Sequence, residues 1–279
     1  LPGGTNRATT RGMYDAITAL VRRHDPDRFL TALFAPAPRR DALLTLYAFN
    51  HELARARSVA HEPTLALIRL QWWREVVEGA PRPHEVATPV SQAIATGALP
   101  ADALLPLIEA REAEAYGDFP ALADWRSWML AGAGGLAATA AAALGAPDPE
   151  PFRPFGAAYG VAALLRASGA LAAQDRCLLP QDLLARHGLS PEAFIHDPGA
   201  ESARAVLNAV AAEGRAFLAQ ARPRAVPRTM VAAALPAVLA RRDLAAWPAI
   251  AQPRRLADRL AVTFAGLTGH IQTRMVAQE

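Results

Sequence analysis

Three carboxylates, Glu109, Glu112 and Glu114, sit within two helical turns of one another with Arg111 among them. Carboxylates one turn apart can share a proton or hold a metal. On a helix this spacing reads more simply as a solvated face with local ion pairs. The histidines (His24, His51, His61, His84, His187, His196 and His270) are scattered. None pairs with another at i, i+4, and no H-E-x-x-H occurs, so the pattern predicts no histidine metal site. Cys177 is the only cysteine, which excludes an internal disulfide framework and a cysteine zinc site. All 29 Lys-plus-Arg residues are arginine. A Schiff-base lysine, a P-loop lysine and an S-x-x-K nucleophile are therefore excluded. No G-x-S-x-G occurs, and no glycine-rich phosphate loop follows a strand.

The elements that must position these groups are helices. The chain is 52% hydrophobic and 20% charged, rich in Ala and Leu and poor in aromatics, which favours helix on propensity alone. Apolar residues recur at three-and-four spacing over 39–58 (Leu43, Leu46, Tyr47, Leu53) and 64–78 (Leu67, Ile68, Leu70, Trp72, Val76), with Gly79 placed to stop the second. Pro81, Pro83 and Pro89 predict a loop. Further helices are expected over 100–116, 120–144, 151–173, 200–221, 228–241 and 254–276, with a short connection around Pro180 and Gly188. No period-two alternation, hairpin turn or fixed repeat is present. The prediction is an all-α fold of about eight or more helices in one domain. That domain spans 27–279, behind a tail and lead-in over 1–26. Residues 127–147 carry no charge, yet they are mostly Ala and Gly, which fits a buried helix better than a membrane span. The net charge of +3 and a pI near 9.6 fit an anionic partner such as a membrane surface or a diphosphate. No nucleic-acid partner is expected.

Two segments carry a resemblance. One holds Phe34-Ala35-Pro36, Arg40, Leu46-Tyr47-Ala48-Phe49-Asn50-His51 and Leu70-Gln71-Trp72-Trp73. The other holds Tyr159-Gly160-Val161, Leu164-Leu165-Arg166, Arg176-Cys177-Leu178-Leu179-Pro180-Gln181-Asp182-Leu183 and His187-Gly188-Leu189. Together they resemble the two signature regions of the squalene/phytoene synthase family. The resemblance implies an isoprenoid-synthase-like helical bundle around a central apolar cavity. It also implies head-to-head joining of prenyl diphosphates, with Mg²⁺ held by two aspartate-rich motifs. The first motif's aspartate positions fall here on Ala54, Arg55 and Ser58, and the second's on Ala167 and Leu171. The family's arginine ahead of the first motif is His51. Mg²⁺ needs oxygen ligands, so no metal and no catalytic residue is expected at these positions.

The motif Ala48-Phe49-Asn50-x-Glu52-Leu53-Ala54 and the run Leu164-Leu165-Arg166-Ala167 resemble a divergent branch of the family that includes the mitochondrial complex I assembly factors. That resemblance implies a catalytically degenerate protein of respiratory-complex assembly or of lipid or isoprenoid binding. Its expected partners are a respiratory-complex subunit, an isoprenoid or anionic lipid, and a peripheral membrane contact. The Arg-only, Ala-rich composition points to a bacterial source, hence a place in the cytoplasm or at the inner membrane, or in the mitochondrial matrix for a eukaryotic chain. An active prenyltransferase using Mg²⁺ is the alternative. Tyr47, His51, Arg55 and Arg166 are the candidate ligand-binding residues. Arg55 and Arg166 would grip an anion directly if both face the cavity. Otherwise Arg55 pairs with Glu52 on a solvated face.

Overall fold

The computed structural model describes residues 4–58, 62–221, 226–250 and 253–272, the side chains of 4–11 and 58 excepted. His61 lies outside the described residues, and the helix expected over 254–276 is shorter than that: α15 ends at Thr268, where Gly269 takes the left-handed conformation. Within them the chain is α-helical and has no strand. In order, the helices are α1 (Gly4–His24), α2 (Pro26–Ala32), α3 (Ala37–Ser58), α4 (Pro63–Val77), α5 (Ala87–Ala95), α6 (Ala101–Tyr116) and α7 (Leu122–Met129). A π-helical turn (Leu130–Gly134) leads into α8 (Gly135–Ala143), α9 (Arg153–Ala172), α10 (Gln181–Arg186) and α11 (Pro191–His196). The last four are α12 (Glu201–Gln220), α13 (Val231–Ala234), α14 (Pro236–Ala246) and α15 (Leu256–Thr268).

Helix ends follow local chemistry. Asp25 caps α2 by accepting from the Arg28 backbone N–H, and Pro26 fills the first position, where no N–H is needed. Pro63 opens α4 in the same way. Gly117, at φ +67, ends α6 in the left-handed conformation that glycine adopts without strain. Pro236 has no N–H, and it divides the expected 228–241 helix into α13 and α14.

α9 is the central element. It packs against α12, α14 and the π-helical turn, and buries Phe155, Tyr159, Val161, Leu164 and Leu165. The uncharged 127–147 stretch becomes the end of α7, the π turn and α8. All of α8 except Ala142 is buried, including Thr139, whose hydroxyl donates to the Gly135 carbonyl. Among the described residues, Glu150–Ala172 is the one helix long and apolar enough to cross a membrane. Just over half of its most apolar stretch is buried inside the fold.

Further expectations need correction: Pro89 lies not in a loop but near the start of α5, where a missing N–H costs no helix bond. Within the segment read as tail and lead-in, residues 4–24 form α1. α1 packs on α3 and sends Ile17 and Val21 into the core. The 120–144 helix is broken by the π turn. The connection after α9 contains two short helices, α10 and α11.

Trp72 and Trp73 occupy different environments. Trp73 is buried edge-on against Phe49, whereas Trp72 is only partly covered and leans on Trp73 and His84. Trp73→Ala should therefore cost ~3–5 kcal/mol. Trp72→Ala should cost about half as much or less. Equal losses in denaturant titrations of the two variants would contradict this placement.

Candidate functional site: a cavity between two paired charge clusters

A cavity of about 750 Å³ lies between α2, α3, α6, the π turn, α8 and α9. Its apolar wall comes from Met129, Gly132, Ala133, Leu136, Ala163, Leu164, Ala170 and Leu178. Small side chains on α9 and the π turn leave this space, because Ala and Gly cannot fill the gap between crossing helices.

Two polar clusters border it. In the first, Arg254 donates to both oxygens of Asp27 (Nη2 to Oδ2, 2.8 Å; Nε to Oδ1, 3.2 Å) and to Asp243 (2.5 and 3.0 Å). Arg166 reaches Asp243 at 3.2 Å and Asp27 at 3.4 Å, and the Tyr159 hydroxyl donates to Asp27 at 3.0 Å. Arg28 pairs with Asp25 at 2.7 Å and stacks 4.8 Å from the Tyr159 ring centre. Burial raises the Tyr159 phenol far above its ordinary value, with Asp25 adding to the shift and Arg28 opposing it. It stays protonated and donates.

In the second cluster, Glu114 accepts from Arg111 and, at 2.9 Å, from Arg176, while Arg111 also reaches the Asn50 amide oxygen at 3.1 Å. Burial would raise the Glu114 pKa, but the two guanidiniums outweigh it and hold it below the ordinary carboxylate range. The solvated-face reading of the 109–114 carboxylates is thus corrected for Glu114, which is almost fully enclosed. Glu112 pairs with Arg74 across to α4, and Glu109 is exposed.

The residues singled out by sequence separate into two groups. Arg166, Ala167 and Leu171 line the cavity. Tyr47, His51 and Arg55 do not line it. Tyr47 is buried beneath Arg28, 5.9 Å from its guanidinium. His51 stacks on His24 at 4.5 Å, and its pKa is lowered by burial and by that neighbour. Arg55 is half exposed and donates to Glu52 at 2.9 Å, so the expected grip by Arg55 and Arg166 together is not formed. Ala54 is also off the cavity wall, and the Ser58 side chain lies outside the described residues. The Cys177 thiol is pushed up to about 11, mainly by burial, and is not an activated nucleophile.

These residues do not fit a bound Mg²⁺. Ala54, Ala167 and Leu171 offer no oxygen ligand, and Asp25, Asp27 and Glu114 are each engaged by arginine. Among the described residues no group of three or more His, Cys, Asp or Glu is placed to hold a metal. The arrangement can enclose an apolar molecule and present paired guanidinium–carboxylate groups at its borders.

Of the first cluster, sequence reading singled out Arg166 but missed its partners Asp27, Asp243 and Arg254. Asp27 and Arg254 are 227 residues apart, so no spacing rule links them. The one local signal is Asp243, a lone acid among Arg241, Arg242 and apolar residues.

Asp243 carries a pH signature. Burial pushes its carboxyl up to about 7, with Arg166 opposing and Asp27 reinforcing. The native state therefore keeps a proton that the unfolded chain loses near pH ~4, so this contribution is present below that pH and is lost as pH rises through 7. The stability of the wild type minus that of Asp243→Asn should fall between about pH 4 and pH 7. A difference that rises across this window in a melting series would contradict the assignment.

The sequence profile described as squalene/phytoene synthase matches residues 21–263. NADH dehydrogenase (ubiquinone) complex I, assembly factor 6, of Homo sapiens is 28% identical over 231 residues, covering 79% of this chain and 68% of the relative. The Mus musculus protein of the same name is 29% identical over the same shares. Among solved structures, a dehydrosqualene synthase superposes with a TM-score of 0.73 at 13% identity, over 91% of this chain and 96% of its own. A squalene synthase from Alicyclobacillus acidocaldarius superposes at 0.66 with 20% identity, over 86% and 94%. These structures share the all-α isoprenoid synthase fold with this chain. The profile match runs from the end of α1 into α15 and takes in the whole cavity wall, and on that extent the chain belongs to the squalene/phytoene synthase family.

Proposed function

We propose that this chain is a catalytically degenerate member of its family that acts in the assembly of a respiratory NADH:quinone oxidoreductase and keeps its cavity for a lipid or isoprenoid ligand. One observation carries the reading. Positions where the resemblance calls for metal-binding aspartates hold Ala54, Arg55, Ala167 and Leu171, and the carboxylates left around the cavity are each paired with arginine. A Mg²⁺–diphosphate cluster has nothing to assemble on. The relatives named as complex I assembly factors support the assembly role, and they favour the cytoplasmic face of the inner membrane, or the mitochondrial matrix, as its place. The cavity's apolar wall supports an isoprenoid or lipid occupant.

The second reading, an active head-to-head prenyltransferase, draws on the fold shared with solved synthases. Deleting the gene in its source organism separates the two. The assembly reading predicts loss of the intact oxidoreductase on native gels and of NADH-driven quinone reduction, with isoprenoid hydrocarbons unchanged. Normal oxidoreductase together with missing isoprenoid hydrocarbons would overturn it.

A further inference from the structure

α15 presents its large apolar residues outward. Leu256 is 71% exposed, Leu260 58%, Phe264 67% and Leu267 56%. Their spacing of four, four and three places them within an arc of about 80° at 100° per residue. The opposite face, which packs against α2 and α14, is made of Asp258, Val262, Ala265 and Gly266. Gly266 is pressed so closely onto the Phe34 ring that an added Cβ would lie 2.4 Å from it. The helix is therefore fixed in rotation: it cannot turn to bury the leucines without driving Phe34 out.

On α15 and its N-cap the exposed charges have one sign. Arg255 and Arg259 are exposed along one flank, and Arg228 donates to the Leu267 carbonyl at the far end. The helix's one acid, Asp258, is buried and paired with Arg242 at 2.5 Å. An apolar stripe with a cationic border complements an anionic bilayer, where the chains enter the acyl boundary and guanidiniums meet phosphates. A second copy of the chain would instead set arginine against arginine. The helix also begins two residues after Arg254, which lines the cavity with Pro253.

We propose that α15 is a docking helix that lies in the interface of an anionic lipid bilayer through Leu256, Leu260, Phe264 and Leu267, and so sets the cavity beside the headgroup layer. This deepens the membrane location proposed above but does not rest on the loss of chemistry. The test is flotation of the purified chain with vesicles of phosphatidylglycerol and phosphatidylcholine in equal parts, against phosphatidylcholine alone. The wild type should float with the mixed vesicles. Leu260→Ser/Phe264→Ser should weaken binding at least about tenfold. Arg255→Gln/Arg259→Gln should weaken it several-fold and flatten its salt dependence. Leu65→Ser/Ile68→Ser, on the exposed part of α4, should leave it unchanged. All of these side chains are solvent-exposed, and unchanged circular dichroism melts would show the fold intact. Equal flotation of wild type and the Leu260/Phe264 variant would overturn the proposal. So would a wild-type dimer that ignores vesicles and becomes monomeric in that variant. A chain that docks as described but supports no oxidoreductase assembly would keep this inference and remove the functional reading.

Discussion

Arg254→Ala is expected to destabilise the fold by about 3–5 kcal/mol at pH 8, as removing one partner of a buried ion pair does. Arg254 is the bridge between Asp27 and Asp243, and all three side chains are largely enclosed. Without it, two carboxylates remain against the single guanidinium of Arg166, whose contacts are the longer ones at 3.2 and 3.4 Å. The Tyr159 hydroxyl supplies a hydrogen bond to Asp27 but no charge. Lysine at 254 should recover only part of the loss, because one ammonium cannot reproduce a planar fork that serves two carboxylates. The loss should shrink toward acid pH, where Asp243, whose carboxyl burial already pushes up to about 7, takes up a proton. Urea titrations at both pH values check this. A loss below about 1 kcal/mol at pH 8 would place the cluster among weak surface pairs.

Gly156→Val is expected to abolish folding, and Gly156→Ala to cost at least about 1–3 kcal/mol, the range for overpacking a filled core. A Cβ at Gly156 would lie 2.2 Å from the Ala133 carbonyl oxygen and 2.7 Å from the Ala137 Cβ. One turn on, a Cβ at Gly160 would lie 2.5 Å from that of Ala133. α9 thus crosses the π turn and α8 with backbone nearly touching backbone, and the first obstacle is a carbonyl that cannot move without breaking its helix. Gly169, on the same helix, has nothing within 4 Å. Gly169→Ala should be neutral or stabilising by about 0.5–1 kcal/mol through helix propensity. Soluble expression and melting of the three variants give the test. A Gly156→Ala protein as stable as the wild type would mean that the crossing is looser than described.

How far the sequence alone reveals this molecule depends on the range of the interaction. α3, α4, α6, α9 and α12 are legible because apolar periodicity and Pro or Gly punctuation are local signals. The π turn is not, since Leu130–Gly134 has the composition of an ordinary Ala/Gly helix and its wider turn answers to the tight crossing with α9. Of the signature run of α9, Arg166, Ala167 and Leu171 line the cavity. The run in α3 is legible only in part. Asn50 lines the cavity, but the helix turns Tyr47 beneath Arg28 and leaves Arg55 half in solvent. Arg57 comes close to Glu114 and Arg176, and its pKa is lowered by burial and by Arg176. The partners that hold Asp27 lie in α9 and just before α15, and only the folded chain brings them together. For α15, periodicity announces an amphipathic helix but cannot say that the apolar side faces out.

The central claim is that no Mg²⁺–diphosphate site remains in this cavity. It is tested most directly by calorimetric titration of the purified chain with farnesyl thiodiphosphate, with and without Mg²⁺, alongside an assay of diphosphate release from farnesyl diphosphate. The account predicts no Mg²⁺-dependent heat and no release above the protein-free rate. Saturable binding that requires Mg²⁺, accompanied by catalytic diphosphate release, would contradict it.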